Sequence, residues 1–371
     1  MTVCLSTNGP SVHHCDAQPA RLLVATTHGI NVLARHPDGW REVGRVMDGY
    51  HISALMIEPQ NRTIFAGVHH GGLYSSSDGG ATWERRTEGL TREHVYSLGY
   101  TVRNGRAVLY AGTEPVSLFC SDDGGRTWTE LPEIGRVPGH EKWTFPPPPH
   151  LAHTKALTFD PRNPEIIYAA IEQGALLKSS DGGRTWRELG SFYCPDDAWY
   201  KDVHRVVCRP FNPDELFMAT GIGLYRSLDA GETWARLTGE GHPIGYPDQL
   251  IFDPLDPRVL FMSGAGRDPT TWRTSHHAGG TVMRSTDDGA TWSDASQGLP
   301  QGSHTNIEAL NAAAYPGGYA LFAGNTDGEV FISENGGRRW ERIMSGLKPI
   351  SKGGHFRNLQ PGLKQSVEMT A

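Results

Sequence analysis

Apolar positions along this chain fall in short alternating runs broken by Gly, Pro, Asn and Asp, as in Thr63-Ile-Phe-Ala-Gly67 and Glu165-Ile-Ile-Tyr-Ala169. A period of two over such lengths predicts strands, and no long stretch carries the helical period. From His51 to Arg86 the pattern resolves into four strands, at His51–Glu58, Thr63–Val68, Gly72–Ser76 and Thr82–Arg86, and the same grammar returns along the chain. A turn element, Asp160-Pro-Arg-Asn-Pro164, recurs as Arg209-Pro-Phe-Asn-Pro213 and Asp253-Pro-Leu-Asp-Pro257 between the first two strands of a unit.

Between the third and fourth strands stands a short phrase: Ser76-Ser-Asp78-Gly-Gly80-Ala-Thr82-Trp83. Further copies start at Ser121, Ser179, Ser227 and Ser285, a worn copy runs from Ser333 to Trp340, and a shortened relic ends in Asp38-Gly39-Trp40. The repeat Trp thus falls at 40, 83, 128, 186, 234, 292 and 340, which sets seven units and a repeat architecture. Ser and Asp side chains bond nearby backbone amides, and Gly supplies turn conformations that other residues resist, so each phrase closes a hairpin.

The phrase is the Asp-box, and through it the chain resembles the family of Asp-box (BNR) propeller proteins over residues 20 to 360. The resemblance implies an all-β fold, a seven-bladed β-propeller of four-stranded blades, and says little about activity. The family includes sialidases, xyloglucan-degrading enzymes, receptors and a photosystem assembly factor. A sialidase needs a cluster of carboxylate-binding arginines, whereas the inner strands here offer Arg357 and, facing away, Arg205. The expected organisation is an N-terminal extension (1–19), one propeller (20–360) and a C-terminal tail (361–371). Residues 21 to 43 supply three strands of the first blade without an inner one, and His355-Phe-Arg357-Asn-Leu359 has the inner-strand pattern. The C-terminal strand is therefore expected to complete that blade and close the ring, hiding two sheet edges.

Aligning the seven inner strands places His51, His94, His153, Asp202, Tyr246, Asn306 and His355 at the mouth of the axial channel. One step deeper come Ser53, Tyr96, Lys155, His204, Asp248, Glu308 and Arg357, since residues two apart share a strand face. Loops containing His28, His69-His70, Glu114 and Glu172-Gln173 open on the same side, so that face gathers most of the 17 histidines. Imidazoles with carboxylates beside them suit a divalent transition metal (Fe, Cu, Mn or Zn), and His51, His94, His153 and His355 are the expected ligands. His204, Asp248 and Glu308 would orient ligands or move protons, Tyr96 would donate a hydrogen bond, and Lys155 or Arg357 would hold an anionic group. His69-His70 reads as a solvated loop pair, and the loop from Trp272 to His277 as a lid.

Composition narrows the partners. A net charge of −7 with scattered basic residues argues against nucleic acid, and nothing asks for a membrane. Five cysteines without C-x-x-C spacing fit free thiols, and the first ten residues carry no secretory pattern, so a cytoplasmic setting is expected. The reading is an enzyme acting on a small-molecule substrate in the axial pocket. Its rivals are a non-catalytic binding or assembly propeller, and a glycoside hydrolase-like enzyme using Asp248 and Glu308 as paired acids.

Overall fold

The computed structural model describes residues 1–147, 149–196, 201–239 and 241–359. Seven mainly antiparallel sheets stand round an axis, each running from an inner to an outer strand. Blade 2 is typical, with strands Ile52–Ile57, Ile64–Val68, Gly72–Ser76 and Glu84–Arg85. Blades 3 to 7 begin on inner strands His94–Arg103, Thr154–Phe159, Val203–Arg209, Tyr246–Phe252 and Ile307–Tyr315. The core lies between neighbouring blades, as where Phe65 and Leu73 of blade 2 meet Leu98, Leu109, Phe119 and Trp128 of blade 3. Fully burying each such side chain contributes about 1.5–3 kcal/mol.

The Asp-boxes act as local clamps. In blade 4, Asp181 Oδ1 accepts from the Thr185 amide at 2.9 Å and Oδ2 from the Thr185 hydroxyl at 2.6 Å. Ser179 Oγ accepts from the Gly183 amide at 2.8 Å, and the Trp186 indole N–H reaches the Gly183 carbonyl at 3.0 Å. Gly183 has a φ of +92°, which an L side chain resists.

Every inner strand of blades 2 to 7 carries a β-bulge at the same step, between Ile52 and Ala54, Val95 and Ser97, Thr154 and Ala156, Val203 and Arg205, Pro247 and Gln249, and Ile307 and Ala309. The extra residues are Ser53, Tyr96, Lys155, His204, Asp248 and Glu308. A bulge re-aims the side chain it frees and shifts the parity of the residues after it. Arg205, expected to face away from the axis, therefore turns onto it.

Ring closure differs from the expectation. The inner strand of blade 1 is β1 (Thr2–Leu5), which pairs parallel with Arg21–Thr26. A second N-terminal strand, β2 (Val12–His14), pairs parallel with the inner strand of blade 7. Residues 1–19, expected to form a separate extension, thus join the two ends of the ring. His355–Leu359 is instead a single 3₁₀ turn. Its spacing of apolar residues matches an inner strand, but Gly353-Gly354 before it breaks any extended run. The tail from residue 361 onward, and residue 360, lie outside the described residues.

Between β1 and β2 the chain crosses the axial channel and fills it. Thr7 donates its hydroxyl to Ser53 O at 3.1 Å, and Ser6 Oγ accepts from the Leu55 amide at 3.0 Å. Arg205 clamps the far side, donating to Thr7 O at 2.8 Å and Gly9 O at 3.3 Å. Asn311 Nδ2 reaches Pro10 O at 3.1 Å. A Cβ on Gly9 would lie 2.1 Å from Leu55 O, so only glycine passes there.

Candidate active site at the propeller hub

Above this plug the freed bulge residues, the first residues of the inner strands and the loops between second and third strands meet in a closed polar ring. On the blade 2 and 3 side lie imidazoles. The His51 and His69 ring centroids are 4.1 Å apart, His69 and His94 4.4 Å, and His70 and His94 4.1 Å. His51 Nε2 lies 3.0 Å from Ser351 O and must donate to it, which leaves Nδ1 with its lone pair. His69 Nδ1 meets His94 Nε2, and His69 Nε2 is buried without a hydrogen-bond partner. Desolvation holds the pKa of His51 down, to about 4, and that of His69 well below the usual imidazole value, the other histidines adding to the latter effect. Both rings are therefore neutral near pH 7.

Carboxylates link this group to the next. Glu114 Oε1 lies 3.0 Å from His94 Nδ1, and Oε2 3.3 Å from His153 Nδ1. His153 Nε2 lies 2.7 Å from Glu172 Oε2. Burial disfavours charge on His153, but its two carboxylate partners prevail and raise its pKa. Burial works against ionised Glu114 too, yet His153 and His94 bring its pKa down to about 2. Glu172 is held well below its usual range against desolvation, by Lys155 and His153. Lys155 pairs with Glu172, and desolvation lowers its pKa to about 8. Tyr96 stacks on His153 at 3.7 Å and donates its hydroxyl to Lys352 O at 2.9 Å.

On the far side, His204 Nε2 lies 3.2 Å from Asp202 Oδ2 and 3.8 Å from Glu172 Oε1, and Nδ1 lies 2.6 Å from Pro247 O. Asp248 pairs with Lys352 and accepts from Asn306 Nδ2 at 2.6 Å. Glu308 Oε2 accepts from Ser351 Oγ at 3.0 Å and from the Lys352 amide at 2.9 Å. Burial opposes charge on Lys352, but Asp248, Glu172 and Glu308 raise its pKa.

The structure thus brings together nine of the candidate side chains: His51, His94, His153, His204, Asp248, Glu308, Tyr96 and Lys155, with Asp202 among the mouth residues. Two do not join them as expected. Arg357 is exposed on the 3₁₀ turn, its guanidinium over the Phe356 ring at 5.9 Å, so it holds no anion at the hub. His355 stands on that turn rather than on an inner strand, and its side chain lies outside the described residues. His153, also expected as a ligand, has both nitrogens turned to carboxylates. His69, expected to be a solvated loop residue, is instead central. Lys352 has no signal in the strand pattern because it belongs to no strand: it fills the hub position that blade 1, with its apolar β1, leaves without a polar side chain.

The acid-rich half is sealed. Trp272 of the short helix α1 (Pro269–Ser275) packs with Tyr246 and Leu359 over it, and the edge of Phe145 abuts His153 at 4.7 Å. The imidazole half is open, with His51 and His69 partly exposed and His28, Tyr50 and His70 exposed around them. Hollows elsewhere, such as one lined by Glu42, Gly44, Arg45 and Asp48, lie on the rim and hold no comparable chemistry.

Comparison with known proteins agrees with the architecture. A family model described as "Photosynthesis system II assembly factor YCF48" matches residues 54–189. The xyloglucanase Xgh74A of Acetivibrio thermocellus is 25% identical over 153 residues, which is 37% of this chain and 17% of that protein. A solved ancestral GH74 enzyme superposes with a TM-score of 0.59 at 17% identity, over 80% of this chain and 39% of that one. YCF48 bound to D1 peptide gives 0.52 at 17% identity, over 90% and 86%. The chain is a seven-bladed Asp-box (BNR) propeller. The propeller matches only a small part of the curated xyloglucanase, and at these identities the solved structures establish its fold alone. No helix among the described residues is long and apolar enough to cross a membrane, and the five cysteines are free.

The hub carboxylates fix the pH response. Glu114 has a folded pKa depressed from 4.5 to about 2, so its contribution is present above pH 4.5 and lost as pH falls toward 2. That shift corresponds to about 3 kcal/mol. Glu172 acts in the same direction. Thermal melting followed from pH 6 to pH 3 is expected to drop steeply below about 4.5, and a Glu114→Gln variant to show a shallower acid limb.

Proposed function

We propose that the propeller is an enzyme acting on a small molecule at the open half of its hub, with a divalent transition metal (Fe, Cu, Mn or Zn) held by His51, His69 and His94. The observation that carries this reading is the group of three facing imidazoles, two of them kept neutral by burial. Their outer contacts support it: Ser351 O accepts from His51, as outer partners fix the tautomer of a ligating histidine, and Glu114 Oε1 lies 3.0 Å from His94 Nδ1. A cation there would supply Lewis acidity toward a substrate oxygen.

The chain's own residues supply the rest. His153, buried between Glu114 and Glu172, keeps its proton to higher pH than a free imidazole and holds both carboxylates in place beside the cluster. Exposed His28, Tyr50 and His70 border the way in. Hydrolysis, elimination and oxidation all draw on such a donor set. The paired-acid reading is weaker, because Asp248 and Glu308 are both engaged by Lys352 beneath the seal. A binding propeller is the second reading, favoured by the near full-length match to YCF48 bound to a peptide. Elemental analysis of the purified protein and of a His69→Ala variant separates the two: bound transition metal that is lost in the variant supports the enzyme, and metal content that the variant leaves unchanged, or none, supports the scaffold.

A further inference from the structure

Among the described residues, the hub sets more carboxylates than ammonium groups round its axis. Five carboxylates, those of Glu114, Glu172, Asp202, Asp248 and Glu308, ring the axis within reach of two ammonium groups, Lys155 on Glu172 and Lys352 on Asp248. Arg205 lies deeper and donates from Nη1 and Nη2 to carbonyl oxygens of the plug. Glu308 is held by hydroxyl and amide donors, and Glu114 by histidines. Among the described residues Asp202 lies within ion-pair distance of His204 alone, a cation only if its ring carries a second proton, and its Oδ1 is buried without a hydrogen bond.

His204 sharpens the point. Its Nδ1 faces a carbonyl oxygen, which only accepts, so the proton of the neutral ring sits on Nδ1. Nε2 is then a lone pair, buried without a hydrogen bond, aimed at the carboxylates of Asp202 and Glu172. Two anions and a lone pair pointing at one another in a dry site repel unless a positive charge lies between them. One ligand atom from each of these three residues falls within 4.8 Å of the other two, the span that a single ion bridges.

We propose that Glu172, Asp202 and His204 form a second divalent cation site, distinct from the histidine cluster at the mouth. Its mixed oxygen and imidazole donors suit Mn²⁺, Fe²⁺ or Zn²⁺. The Pro247 carbonyl fixes the His204 tautomer, as outer contacts do for metal-bound histidines. The bulge at His204 is what turns this side chain out of the sheet and toward Asp202.

The test is titration of chelator-treated, full-length protein with Mn²⁺, followed by electron paramagnetic resonance and by thermal melting. Wild type is expected to bind Mn²⁺ and to melt higher when loaded. Asp202→Asn is expected to weaken binding by at least tenfold, yet to melt no lower than wild type when both are metal-free, because it removes an unbalanced buried charge. His204→Gln serves as the second variant should Asp202→Asn not fold, with the same loss expected. His69→Ala is expected to retain this Mn²⁺ signal, so failure at the mouth and failure here give different results. Wild type that takes up no Mn²⁺ would overturn the proposal and leave Lys155 or a doubly protonated His204 as the balancing charge. Unchanged Mn²⁺ affinity in both variants would overturn it equally.

Discussion

Removal of residues 2–15 is expected to abolish cooperative unfolding of the propeller. The deletion takes away β1 and β2, strips the inner edge of blade 1 and the fifth strand from blade 7, and empties the axial channel. Arg205 would lose its acceptors at Thr7 and Gly9 and face the emptied channel. Opened strand edges also invite association. Gly9→Ala probes the same element more gently, since the methyl must displace Leu55 O. Differential scanning calorimetry is the measurement. A truncated chain with a sharp transition at the wild-type temperature would show that the N-terminal segment is dispensable for closure.

Asp248→Asn is expected to destabilise by about 3 kcal/mol, the low end of the cost of breaking a buried ion pair. The ion that loses its salt bridge is the Lys352 ammonium, which keeps the weaker attraction of Glu172 and Glu308 in the sealed hub. The double variant Asp248→Asn with Lys352→Met removes both charges and is expected to recover much of that loss. Urea unfolding of wild type, single and double variants checks this. Equal destabilisation of single and double variants would mean that the pair does not couple across the hub.

The contrast between the legible and the hidden parts of the sequence has physical causes. The Asp-boxes carry their own hydrogen bonds within eight residues, so each is readable locally, and six of them with the relic at Asp38–Trp40 dictate the blade count. The mouth and bulge residues are readable as a set because the register recurs in blades 2 to 7, which is why His51, His94, His153, His204, Asp248 and Glu308 meet as expected. Closure is not readable from pattern. Thr2–Leu5 is a short apolar run with none of the polar signature of the other inner strands, and it pairs parallel. The bulges are equally hidden, because a one-residue shift in parity leaves no mark in composition; they turn Arg205 toward the axis. His69 and Lys352 sit on segments outside the inner strands, where no periodicity singles them out.

The central claim is that His51, His69 and His94 hold a transition metal. It is tested most directly by elemental mass spectrometry of protein purified without chelators, comparing wild type, a variant with all three residues changed to Ala, and a His36→Ala control on an exposed outer position. About one transition metal ion is expected at this cluster in wild type and the control, lost in the triple variant, with circular dichroism unchanged. Equal metal content in all three proteins, or none in any, would contradict it.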